Sequence, residues 1–174
     1  MDWLPNKLSL SSSKLEDDYK VLYEVFERDF INTELNFRGE KVTYQEAIDR
    51  KTPGGYPHGF THLVTRENGD QRIIDYDRAT RLPWVRAIIE HSEDEAVSII
   101  EKRQVSQKYG MVDNTYLWLE ACNFLVILRR IKSGPYEGQM LVTSYAITEA
   151  YQKNQLRKYR EQYEEKENAQ GTFL

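Results

Sequence analysis

Three stretches in the C-terminal half, residues 116–121, 124–131 and 140–147, limit the folds open to this 174-residue chain more than any other feature. Each is rich in β-branched and aromatic residues, the composition that suits a pleated, half-buried surface. Cys122-Asn123 separates the first two, and Gly134-Pro135-Tyr136-Glu137-Gly138 separates the second from the third. Connections this short join antiparallel neighbours, so the spacing predicts an antiparallel meander. Around it the pattern changes period. From residue 14 to 30 the apolar residues Leu15, Tyr19, Leu22, Tyr23, Phe26 and Phe30 recur at three- and four-residue steps, one stripe of an amphipathic helix. Ser13 with Glu16 three residues on reads as its capping box, after an irregular lead-in over residues 1–12.

Between these two regions the signals are shorter. An extended piece through Leu35 and Phe37 leads to a turn at Arg38-Gly39-Glu40, and Thr43 with Glu46 reads as the start of a second short helix. Two prolines and three glycines within residues 53–59 make a loop, and residues 60–65 read as a β-rich run. Asn68-Gly69 is a hairpin signal, with residues 72–76 as the returning strand. Asp77 opens a helix whose stripe of Ala79, Leu82, Val85, Ile88 and Ile89 is interrupted by Pro83, so a bend or restart is expected there. Residues 96–100 read as a strand, and residues 104–114 as a polar, mobile loop. Thr148 caps a final helix through Tyr151, Leu156, Tyr159 and Tyr163, with residues 168–174 a frayed tail. No linker or repeat divides the chain. The expectation is one domain, residues 1–174, of α+β class, with an antiparallel sheet of four to five strands flanked by N-terminal, middle and C-terminal helices.

A lone thiol, Cys122, leaves no internal disulfide framework and no Cys-based zinc cluster, which points to a reducing, cytoplasmic setting. No apolar run approaches the roughly 20 residues of a membrane span, and the N-terminus lacks the basic start and apolar stretch of a signal peptide. With 24 Lys+Arg against 28 Asp+Glu the chain is net −4, which argues against coating nucleic acid over a broad basic surface. It leaves room for an enzyme that touches a few phosphates in a small cleft. Phosphate-loop, dinucleotide and nucleophile-elbow motifs are absent.

Three constellations remain. His58 and His62 are four residues apart, a spacing that suits a metal on a helix, but the surrounding glycines and prolines argue against a helix there. Acid–base chemistry near neutral pH is the functional reading of the pair, and ordinary loop and strand residues the plain one. Thr143 and Tyr145 alternate onto one face of the last strand, where a hydroxyl and a phenol can hold one ligand; good strand propensity explains them equally. Arg72, Arg78, Arg81, Arg86, Arg129, Arg130 and Lys132 supply phosphate-binding cations or a solvated face, with Arg78 and Arg81 on one helix face.

In chain order, residues 60–65, the run 78–91 with its Arg-x-x-Arg-x-Pro-Trp-x-Arg pattern, and strands 116–120, 124–128 and 141–147 together resemble the phage-associated nuclease-like families of the barnase–EndoU–colicin–RelE superfamily. That resemblance covers roughly residues 20–165. It implies a metal-independent endoribonuclease of toxin or phage-defence type that needs no cofactor. In such enzymes the ribose 2′-hydroxyl attacks the adjacent phosphorus and leaves a 2′,3′-cyclic phosphate. His62 matches the family's strand histidine as base or acid. Thr143 and Tyr145 match the final-strand positions that orient the phosphate, and Arg81 and Arg86 match the basic helix that stabilises transition-state charge. His58 is a secondary candidate. The implied partners are an RNA substrate, tRNA being one that suits an acidic enzyme, and a neutralising antitoxin or immunity protein, with no membrane. The alternative is a noncatalytic protein- or RNA-binding module on the same fold, with Tyr151, Tyr159 and Tyr163 as interface anchors.

Overall fold

The computed structural model describes residues 1–11 and 13–171. The meander forms as its composition dictates: β6 (Gly110–Leu119), β7 (Phe124–Ile131) and β8 (Gly138–Ala146) are antiparallel neighbours. Asn123, at φ 52°, makes the left-handed turn between β6 and β7. β5 (Val97–Ser106) extends the sheet on one side, and on the other lie β2 (Glu40–Tyr44) and β1 (Asn36–Phe37), giving the order β1-β2-β8-β7-β6-β5. The class is α+β. The sheet is larger than expected and mixed, because β2 runs parallel to β8.

Three stretches take a different element from the one expected. The stretch from Thr43 is strand rather than helix start: Val42, Thr43 and Tyr44 are paired to Gln139, Met140 and Leu141, and tertiary pairing overrides a short capping pattern. The polar segment 104–114 is a hairpin rather than a loop, with Gln104, Val105 and Ser106 registered against Val112, Met111 and Gly110. Residues 60–65 are not a strand. Residues 60–64 lie in helix α2 (His58–Val64), and only Thr65 belongs to a strand, β3 (Thr65–Asn68), so His62 is a helix residue and not the strand histidine expected.

The remaining elements follow the pattern more closely. Helix α1 (Leu15–Phe26) continues as a π-helical turn, Glu27–Ile31. Its N-cap is Lys14, without a side-chain cap, while Ser13 Oγ bonds Ser11 Oγ, so the expected capping box does not form. β3 and β4 (Gln71–Ile74) form a separate hairpin about Asn68-Gly69, with Gly69 at φ +63°. The helix after it does restart at Pro83, as α3 (Tyr76–Ala79) and α4 (Leu82–Glu90), but Asp75 rather than Asp77 caps it, accepting from the Arg78 amide. Pro83 sits in the first turn of α4, where a missing amide costs nothing. Helix α5 (Ala150–Gly171) starts two residues after Thr148, with Glu149 O accepting from the amides of Gln152 and Lys153. It stays helical through the described part of the expected frayed tail; residues 172–174, like residue 12 of the lead-in, lie outside the described residues. The lead-in itself is tied down: Trp84 Nε1 donates to Pro5 O at 2.8 Å, and Trp3 Nε1 to Asp94 Oδ2 at 2.9 Å.

The sheet buries both faces. On one, Leu117, Leu119, Phe124, Val126 and Leu128 meet Leu22 and Phe26 of α1, Phe60 and Leu63 of α2, and Ile88 of α4. On the other, α5 lays Leu156, Tyr159 and Tyr163 over Ile100, Tyr116, Trp118, Leu125 and Ile127. Tyr159 and Tyr163 therefore pack back on their own domain, whereas Tyr151 is 72% exposed. Trp118, Phe26, Phe60 and Phe124 are fully buried, and each contributes about 2–3 kcal/mol of apolar burial. Glu120 anchors α5 by accepting from both Arg157 and Arg160.

Candidate functional site

The α2 helix exists because the loop before it supplies what a helix start lacks. The first amides of any helix have no partner inside it. Here His58 N donates to Ala47 O at 2.8 Å and Gly59 N to Gln45 O at 2.9 Å. Pro57 occupies the N-cap with extended backbone, outside the helix it was expected to forbid. Gly59 is there for contact: a Cβ at this position would lie 2.7 Å from Tyr44 Cβ, so only glycine lets α2 close onto β2. Once the helix forms, His58 and His62 fall on one face one turn apart, with ring centroids 5.7 Å apart and nearly perpendicular.

Under them lies a buried polar network. Asp49 is 1% exposed and accepts from Thr61 Oγ1 at 2.7 Å, Lys51 N at 2.9 Å and Thr52 Oγ1 at 3.0 Å. Burial alone would raise its pKa; the Thr61, Lys51 and Thr52 hydrogen bonds, with His58 nearby, outweigh it and hold the carboxyl below its ordinary value. His58 Nδ1 stands 3.9 Å from one Asp49 oxygen and Arg72 Nε 3.8 Å from the other. Arg72 is itself fixed, donating from Nε to Thr65 Oγ1 and from Nη2 to Thr65 O.

The other wall comes from β8. Its pairing with β2 ends at Leu141, and α2 and α3 cover the edge beyond. Thr143 Oγ1 donates to His62 O at 3.1 Å. Arg78 Nη1 donates to the same carbonyl and to Thr65 O, both at 3.0 Å, and its guanidinium lies over the Tyr145 ring at 5.9 Å. Arg78 Nε is buried without a hydrogen-bond partner, 3.7 Å from Asp75 Oδ2.

The His58 and His62 rings are thus neighbours, Thr143 joins them through the His62 carbonyl, and Tyr145 is linked to them through Arg78. Arg81 and Arg86 are not part of this group. Arg81 pairs with Asp77 and lies over Trp84, while Arg86 donates to Asp29 O, Glu34 O and Glu90, which ties α4 to the end of the π-turn. Arg81 is the N-cap of α4 and Arg78 belongs to α3, so the two do not share one helix face. The cations beside His62 are instead Arg72 and Arg78. The Asn68-Gly69 hairpin that carries Arg72 was readable in sequence; the Asp75 cap that starts the helix of Arg78, and the destination of both arginines, were not. Asp49 carried no sequence signal at all.

This environment sets the protonation. Burial first, then Arg72 and His58, and more weakly Arg78, lower the His62 pKa from 6.5 to about 4 against the opposing pull of Asp49. The ring is therefore a neutral proton acceptor at pH 7. Burial raises the Tyr145 pKa, with Tyr116 adding to it and Arg78 opposing, so the phenol keeps its proton and can donate. Among the described residues, no group of three or more His, Cys, Asp or Glu side chains is arranged to hold a metal ion.

Among the described residues no helix is long and apolar enough to cross a membrane. No protein-family model, curated protein or solved structure matches the chain.

Proposed function

We propose that the chain is a metal-independent endoribonuclease, of the toxin or phage-defence type its sequence resembles, centred on His62 and His58. The observation that carries this reading is the pair of imidazoles on one face of α2, 5.7 Å apart, with the Arg78 guanidinium bonded to the His62 carbonyl and lying over the Tyr145 ring. In the reaction His62 takes the proton of the ribose 2′-hydroxyl as its oxygen attacks phosphorus. His58, the ring across from Asp49, returns a proton to the departing 5′-oxygen, and the products are a 2′,3′-cyclic phosphate and a free 5′-hydroxyl. Tyr145 donates to a non-bridging oxygen, and Arg78 supplies positive charge as the phosphorane forms. Thr143 holds the His62 carbonyl and so acts as a positioning residue. Arg81 and Arg86 have no part in this reading.

An RNA such as a tRNA, met in the cytoplasm, suits an acidic enzyme, and a protein that covers the α2 face would neutralise it. Digestion of total RNA in EDTA, with mapping of the new ends, tests the proposal. Cyclic phosphate ends should appear, and His62→Ala and His58→Ala should each lower the rate at least 100-fold.

A second reading, a noncatalytic RNA- or protein-binding module, is favoured by one feature: Arg72 and Arg78 already donate to the Thr65 and His62 carbonyls. RNA that is bound in EDTA but never cut would establish it.

A further inference from the structure

The β5–β6 hairpin outruns the sheet. Pairing of β6 with β7 begins at Asn114, so Arg103–Ser106 and Gly110–Asp113 form a two-stranded ribbon projecting beyond it. Its surface is unlike the rest of this acidic chain. At the tip, Tyr109 is 54% exposed, with Lys108 Nζ 5.0 Å and the Arg129 guanidinium 5.2 Å from its ring centre. Val105 and Met111, directly opposed across the ribbon, are also exposed. Arg103, Arg130 and Lys132 have side chains 62%, 59% and 71% exposed. Among the described residues Asp113 pairs with Arg103 and Lys132, and Glu40 with Arg130, so the cations of this group outnumber the carboxylates paired to them.

At the ribbon's base opens a cleft of about 540 Å³ of nearly balanced charge, where Arg103 and Arg130 face Glu40, Glu101, Asp113 and Glu167 beside Gln139, and which neither histidine of the α2 pair lines. Gln139 is 6% exposed; its Nε2 donates to Glu40 Oε2 at 2.6 Å, which fixes the amide orientation, and its Oε1 has no partner. That acceptor matches the amino and imino donors of a nucleobase.

We propose that this ribbon and the cleft at its base form a docking arm for single-stranded RNA, separate from the α2 cluster. Lys108, Arg130 and Lys132 take the phosphate backbone, and Tyr109 takes a base on its face. The assignment rests on RNA being the ligand of the proposed enzyme, and it extends that reading to where the strand lies.

The test uses the full chain and a labelled 2′-O-methyl RNA of about twelve nucleotides, which cannot form the cyclic phosphate, so binding is read apart from cleavage. Tyr109→Ala should weaken binding about tenfold. The triple variant Lys108→Gln, Arg130→Gln, Lys132→Gln should weaken it further and reduce the slope of log K against log salt by about 2, at roughly 0.7 per lost contact. Wild-type protein that fails to bind the oligonucleotide, or variants that bind it unchanged, would overturn the arm. Competition by polyglutamate as effective as by RNA would overturn it too, in favour of an acidic protein partner.

Discussion

Acidification should destabilise this protein earlier than its carboxylates alone would predict, and His62 is the reason. Its folded-state pKa is about 4 against an ordinary 6.5. As pH falls below 6.5 the unfolded chain takes up the proton while the folded chain resists it. Stability contributed by the neutral ring is therefore complete above pH 6.5 and is lost as pH falls toward 4. By pH 4.5 the full shift corresponds to about 2.5 kcal/mol, and about 1 kcal/mol remains after allowing for the water that still reaches this half-buried ring. Asp49 does not confuse the measurement, because its lowered pKa keeps it ionised across that window. Urea unfolding of wild type and His62→Gln at pH 7.5 and pH 4.5 reads the effect directly. The wild type should lose about 1 kcal/mol more than the variant between the two conditions. Parallel losses would refute the reasoning, because they would mean that the His62 ring is solvated in the folded protein as it is in the unfolded chain.

Two further substitutions separate the network from its surroundings. Asp49→Ala leaves Arg72, 9% exposed, without its buried carboxylate and strips the Thr52 and Thr61 hydroxyls of their acceptor; chemical denaturation should show a loss of about 3–5 kcal/mol. Arg86→Ala removes the donors to Asp29 O and Glu34 O that tie α4 to the π-turn, and should cost about 1–3 kcal/mol by the same assay.

The candidate site was only partly legible in the sequence. His58, His62, Thr143 and Tyr145 stood out by residue type and spacing; the structure makes the two rings neighbours and links Thr143 and Tyr145 to them only through the His62 carbonyl and Arg78. The companion cations were misassigned because helical spacing does not reveal where an arginine's long side chain ends. Arg86 lies on a regular helix yet reaches two carbonyls near the end of α1, whereas Arg78, in a four-residue helix, reaches the His62 carbonyl.

Local chemistry alone determined the meander, the Asn68-Gly69 hairpin, the amphipathic stripe of α1 and the restart at Pro83. Each depends on neighbours within a few residues, and period and turn residues encode that much. Tertiary structure decided the rest. Residues 58–64 became helix because Ala47 O and Gln45 O accept their first amides and Tyr44 leaves no room for anything but hydrogen at Gly59. Strand β2 formed because β8 offered a free edge, and its parallel pairing joins residues nearly a hundred positions apart. Contacts at that distance carry no local signature, so an imidazole pair on a helix face could be read from the chain only once the loop that holds the helix was in place.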